Sequence, residues 1–228
     1  MNIDDLDDAN AAVNEGSDSL ANPYAHMEWA VNDRGEKFSY VEGLNNPGNI
    51  TGGYLVELDD KASGELSTFY AGGHYFTLHT PEIATYDEVK YISELFADAL
   101  AAAHAGGEDP TTGKTVDELF DVQSLVATGL AEAFLLERDY MFSSSYFYVR
   151  ADSGIVSLGP IWDCDRSFYS DKADSAASAF DCEFISGNPE LIAAMDAGCI
   201  QNLAPAVKDI DASKEAQTIT HGAQEIAG

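Results

Sequence analysis

Residues 139–168 read DYMFSSSYFYVRADSGIVSLGPIWDCDRSF, and the order of residue types along this stretch decides how the rest of the chain is read. Two runs rich in aromatic and β-branched residues, SYFYVR and GIVSLG, are separated by Asp152-Ser153-Gly154. Strand formers on either side of an Asp/Gly turn predict a β-hairpin. Asp139 precedes the first run, with Ser144 five residues later, and the second run delivers Asp163 and Asp165 within Pro160-Ile161-Trp162-Asp163-Cys164-Asp165. Carboxylates therefore arrive from both ends of one hairpin. Protein kinases place their phosphoryl-transfer groups in this serial order: a catalytic aspartate, a metal-assisting polar residue five positions on, and a metal-binding aspartate after a hairpin. Mg²⁺ is a hard cation that takes one or two carboxylates beside phosphate oxygens, so the residue types suit the chemistry. The plainer reading of Asp163-Cys164-Asp165 is a solvated turn in an aspartate-rich chain.

Working outward, residues 38–80 hold four short β-type runs, FSYVEG, GYLVELD, LSTFYAG and YFTLHT, separated by Gly, Asn and Asp turns. They predict a small antiparallel sheet preceding the helices. From Thr85, Val89, Ile92, Phe96 and Leu100 recur at spacings of three and four, and Gly106-Gly107 and Pro110 close the segment. This pattern predicts a core-packed helix. A polar turn leads to a second helix through Leu125, Leu130, Phe134 and Leu135, ending at Asp139. The fold class expected is α+β.

With these segments in place, the chain resembles the CotH kinase family, the spore-coat protein H kinases and their relatives. GPIWDCDRSF is similar to the family's GPVWDFDWSFG. LFDVQSLVATGLAEAFLLERDYMFSSSYFY runs without a gap against its YIDVDSFVDYFLLNEL…N.D…S.Y.Y pattern, with Asp139, Ser144, Tyr146 and Tyr148 in register. ITGGYLVELDD resembles the TGGYLLELD strand, and GGHYFTLHTPEIATYDEVKYISELFADAL resembles the strand, turn and long helix that follow it. The resemblance covers roughly residues 45–170. It departs from the pattern at Ala133, Glu137, Val149 and Tyr169, where the family has Glu, Asn, a basic residue and Gly.

The resemblance implies an atypical protein-kinase-like fold, mainly the C-terminal lobe, and transfer of the ATP γ-phosphoryl to Ser or Thr of a protein substrate. It places Asp139 as catalytic base, Asp163 and Asp165 as ligands of Mg²⁺ or Mn²⁺, and Ser144 at the metal and cofactor. The alternative from another class is a catalytically inactive kinase-like binding or structural module, or a truncated fragment, associated with the spore coat or cell surface. MNIDDLDDAN resembles the family's NRVNIDDL, which follows the nucleotide-binding lobe, so the ATP-anchoring lysine is expected upstream of Met1. None of the seven lysines present, Lys37, Lys61, Lys90, Lys114, Lys172, Lys208 and Lys214, stands in a convincing strand pattern for that role. The organisation expected is an acidic, flexible arm over residues 1–26, a partial kinase-like domain over 27–170 and a divergent segment over 171–228.

Composition limits the partners. A formal charge of −29 with only 11 basic residues among 228 argues against a nucleic-acid surface, which needs Lys and Arg to neutralise phosphates, and disfavours anionic membranes. The same field attracts basic segments of a protein substrate. No apolar run reaches the length of about 18 residues needed for a membrane-spanning helix. The acidic start lacks the basic and apolar regions of a leader. The compartment expected is the cell surface, spore coat or extracellular space if a leader lies upstream, and the cytoplasm if Met1 is the true start.

Other residues receive structural readings. His74 and His79, five apart on one strand, fall on opposite faces and do not share a metal. Gly52-Gly53 enters a strand, with no helix N-terminus behind it to bind phosphate. Trp162 is expected in the core, fixing the carboxylate loop. Glu132 is expected to face solvent, and Glu137 to lie near Asp139. Cys164, Cys182 and Cys199 show no metal-ligand spacing.

Overall fold

The computed structural model describes residues 6–59, 64–135 and 144–162. Alternation of buried and exposed positions produces the strands. In β3 (Tyr54–Leu58) the side chains of Tyr54, Val56 and Leu58 are buried while Leu55 and Glu57 are not, the period-two signature of a sheet with distinct faces. β1 (Met27–Val31), β2 (Lys37–Val41), β4 (Thr68–Ala71), β5 (His74–Thr80), β6 (Ser145–Val149) and β7 (Val156–Leu158) join it. Together they form one sheet of seven strands in the order β1-β2-β4-β5-β3-β6-β7. Every strand pairing in it is antiparallel.

The four strands read from the sequence are thus present, and they do not form a separate small sheet. β3 leaves its sequence neighbours and inserts between β5 and β6, so the hairpin β6–β7 extends the same sheet. The edge strand β1 escapes a reading by pattern, because only Met27 and Ala30 are partly covered and Glu28, Trp29 and Val31 are exposed.

One face of the sheet is covered by α3 (Tyr86–His104). The α3 stripe of Val89, Ile92 and Phe96 is buried as expected, joined by Leu95 and four alanines that let the helix approach the strands closely. Phe96 lies against the rings of Phe69, Phe76 and Phe147 at centroid separations of 5.3, 5.0 and 5.6 Å. Three strands and one helix therefore meet at a single aromatic cluster. The helix starts at a complete capping box: Glu88 N–H donates to Thr85 Oγ1 and Thr85 N–H donates to the Glu88 carboxylate, satisfying two donors that a helix N-terminus leaves open. It ends before Gly106, whose φ of +85° suits a left-handed exit.

Two further helices follow, α4 (Val116–Leu119) and α5 (Val122–Leu135). The first part of the chain corrects the expectation of a flexible arm. Residues 6–26 form α1 (Leu6–Val13), α2 (Asp18–Ala21) and a 3₁₀ turn (Pro23–His26). Leu6 enters the core, and Asn10 and Asn14 are buried. Asn14 accepts from Asn45 N–H at 2.7 Å and donates to Asn45 O at 3.0 Å. Polar side chains dock this helix, so no apolar stripe announces it in the sequence.

Candidate functional site

The hairpin forms where the sequence places it. Phe147, Tyr148 and Val149 stand opposite Leu158, Ser157 and Val156, and the turn carries Asp152 and Gly154 at φ values of +59° and +58°. Left-handed backbone is open to glycine and tolerated by aspartate, which accounts for the turn residues. Asp152 is secured further by Thr51, whose hydroxyl donates to its carboxylate at 2.9 Å and accepts from its N–H at 3.0 Å.

Three stretches far apart in sequence converge here. β3 pairs along its whole length with β6, from Tyr54 opposite Val149 to Leu58 opposite Ser145. Gly53 N–H donates to Val149 O at 2.7 Å. A side chain at Gly52 would collide with the backbone of Arg150 and Ala151, so this glycine is required by the approach of the hairpin to the entry of β3. Beside it a cavity of about 390 Å³ is lined by Leu6 and Ala9 of α1, Pro47, Asn49, Gly52 and Asp152. Tyr54 is buried, and loss of solvent, reinforced by Glu88, raises its phenol well above the ordinary tyrosine value. It serves as a neutral donor, to Ile50 O at 2.6 Å.

On the face of the sheet away from α3, the register of β3 and β5 slips: Leu55 pairs with Thr80 and Val56 with Leu78, leaving His79 as the extra residue of a β-bulge. Bulges re-aim side chains at sheet sites. Here the ring nitrogen Nε2 of His79 lies 2.5 Å from Glu57 Oε2, and the imidazole rests on Tyr146 at a centroid distance of 5.4 Å. Tyr146 in turn meets Trp162 edge-on at 5.9 Å. His74 stands opposite Ala71 on the other face, as the spacing of the two histidines implies. The Glu57–His79–Tyr146–Trp162 row escapes sequence reading, because a bulge and a strand inserted out of order create it.

Of the residues singled out from the sequence, Ser144 is half-buried immediately before β6, with φ +55°. Asp139, Asp163 and Asp165 lie outside the described residues, as do Glu137 and Cys164. Two expectations are corrected. Trp162 is 60% exposed rather than in the core, because its partner is the outward ring of Tyr146. Glu132 is buried rather than solvent-facing. Among the described residues no group of three or more His, Cys, Asp or Glu side chains could hold a metal ion. Lys90 is committed to Asp33 and Glu94 at 2.9 and 2.7 Å, and Lys114 lies 3.5 Å from Asp98. No helix among the described residues is long and apolar enough to cross a membrane.

No family model, no curated protein and no solved structure matches this chain.

Proposed function

We propose that the chain is a CotH-like Ser/Thr protein kinase domain, with the kinase-like C-terminal lobe built around the hairpin. The observation that carries this reading is convergence. The GGYLVEL, SYFYV and GIVSLGPIW stretches, each of which resembles a separate motif of that family, lie side by side as β3, β6 and β7. In this reading Asp139 orients the acceptor hydroxyl of a protein substrate and takes its proton. Asp163 and Asp165 supply carboxylate oxygens for Mg²⁺ or Mn²⁺ carrying ATP, and Ser144, on left-handed backbone at the start of β6, assists there. The bound metal and nucleotide supply the phosphoryl group and neutralise its charge. The chain itself contributes positioning: Tyr146 supports Trp162, the residue before Asp163, and the antiparallel pairing of β6 with β3 fixes the start of the hairpin.

A second reading is supported by the lysines. Lys90 and Lys114 face carboxylates of the surrounding structure, which favours a catalytically inactive kinase-like binding or structural module that does not take up ATP. Calorimetric titration of Mg²⁺-ATP into the full chain, beside Asp163→Ala and Asp139→Ala, separates the two. The kinase reading expects weak saturable binding that Asp163→Ala abolishes and Asp139→Ala leaves intact. Absence of binding, or binding indifferent to Asp163, refutes it in favour of the silent module.

A further inference from the structure

The junction of α1 with α3 holds two buried acceptors that face no donor. Glu88 is fully buried. Its Oε2 accepts from Thr85 N–H at 2.8 Å and from the Asn10 side-chain amide at 2.9 Å. Its Oε1 has no hydrogen-bond partner, and neither does Oδ1 of the equally buried Asn10. Exchanging the amide's oxygen and nitrogen does not help, because Asn10 Nδ2 also donates to Ile83 O at 3.2 Å and an oxygen there would face two acceptors. A buried carboxylate oxygen without a donor is costly, and native interiors avoid it.

One proton resolves both orphans. A carboxylic acid is donor and acceptor at once, and an amide is its complement. The Nδ2–H···Oε2 bond can form one side of a cyclic acid–amide pair, and a proton on Oε1 directed at Asn10 Oδ1 would form the other. We propose that Glu88 is carried as the neutral acid, its proton closing a two-point clasp with Asn10, so that docking of α1 onto α3 is controlled by protonation.

The surroundings support this assignment. From α1, Asp7 adds negative charge; from β3, the neutral Tyr54 presents its hydroxyl to Glu88 O at 3.4 Å, with Tyr91 of α3 stacked on its ring. Asp87 is turned to Asn46 at the surface, and Lys90 is held by Asp33 and Glu94. Burial raises the Glu88 carboxyl above its ordinary value of 4.5, and the bonds from Thr85 and Asn10 oppose that only in part. The proton is therefore held more tightly in the folded than in the unfolded chain. The clasp is complete at acid pH and is lost as pH rises through the folded value. Its release weakens one of the contacts that hold the helix whose Leu6 and Ala9 wall the 390 Å³ cavity beside the hairpin turn.

The test follows the Glu88 carboxyl carbon by NMR across pH in the wild-type chain, with Glu88→Gln and Glu88→Ala beside it. Glutamine places an N–H where the acid places its O–H. The clasp predicts that the Glu88 signal keeps its protonated position to higher pH than the exposed Glu28 and Glu118. It predicts that Glu88→Gln matches the wild-type Tm at acid pH and exceeds it at alkaline pH. Hydrogen-exchange protection of α1, taken relative to α3, should fall with rising pH in the wild type and stay constant in Glu88→Gln. A Glu88 signal that titrates with the exposed glutamates overturns the proposal, as does a Glu88→Gln chain destabilised at every pH as much as Glu88→Ala. If neither variant folds, the wild-type titration alone decides.

Discussion

Replacing Arg34 by Met keeps most of the aliphatic stem and removes the charge from a junction between the β1–β2 turn, α3 and the 105–115 loop. The guanidinium donates through Nε to Asp98 Oδ1 at 3.1 Å and through Nη2 to the same oxygen at 2.5 Å. It also donates to both oxygens of Asp109, which is fully buried. Thr111 N–H and the Thr112 hydroxyl complete the Asp109 shell at 2.9 and 2.6 Å. Burial by itself would raise the Asp109 carboxyl, but the bonds from Arg34, Thr112 and Thr111 outweigh it and hold the group at about 2, below its ordinary 3.8. Removing one partner of a buried pair leaves an uncompensated charge, at a typical cost of about 3 kcal/mol or more. The pKa interval alone corresponds to at most about 2.4 kcal/mol. Because Arg34 is one-fifth exposed, we discount that figure for solvent screening to about 1–2 kcal/mol, and expect Arg34→Met to cost about 2–3 kcal/mol in all at neutral pH.

The pH dependence has a definite sign. A depressed carboxylate contributes stability that is present above 3.8 and lost as pH falls toward 2, where Asp109 becomes neutral in both chains. Urea denaturation of wild type and Arg34→Met, followed by circular dichroism from neutral pH downward, should therefore show a difference that shrinks with acidification. Asp109→Asn added to Arg34→Met should restore part of the loss. A cost below about 1 kcal/mol at neutral pH, under the range for breaking a buried pair, or one that does not change with pH, refutes the reasoning.

The aromatic cluster predicts that Phe96→Ala, which empties the space between Phe69, Phe76 and Phe147, destabilises the chain by about 4 kcal/mol; calorimetry should show one lowered global transition. Gly52→Ala drives a methyl into the Arg150–Ala151 backbone and should cost about 3 kcal/mol, with the amides of β6 and β7 losing hydrogen-exchange protection before those of α3. Equal loss of protection in both places would refute that view of the hairpin's docking.

What was legible in the sequence shares one physical basis: the signal is local. The α3 stripe of Val89, Ile92 and Phe96, the capping Thr85 and the glycines after residue 105 all lie within a few turns of each other. So do the alternating YLVEL run and the Asp152-Ser153-Gly154 turn. At the candidate site, the hairpin could be read, and so could the opposite placement of His74 and His79. The candidate carboxylates could be named from residue type and order alone.

The remainder is non-local. α1 docks through Asn10 and Asn14, buried polar residues that carry no periodicity, so a segment read as a flexible arm became part of the fold. Arg34 and Asp109 are separated by 75 residues and meet only because α3 spans the distance between their loops. Trp162 followed Tyr146 to the surface, and a bulge turned His79 onto Glu57. The sequence by itself determined β2 to β7, the helices α3 and α5 and the hairpin turn, because backbone preference and hydrophobic period act over a few residues. The tertiary structure alone decided that β3 lies between β5 and β6, and that Glu88 loses its water. Strand order and desolvation depend on what the rest of the chain brings alongside.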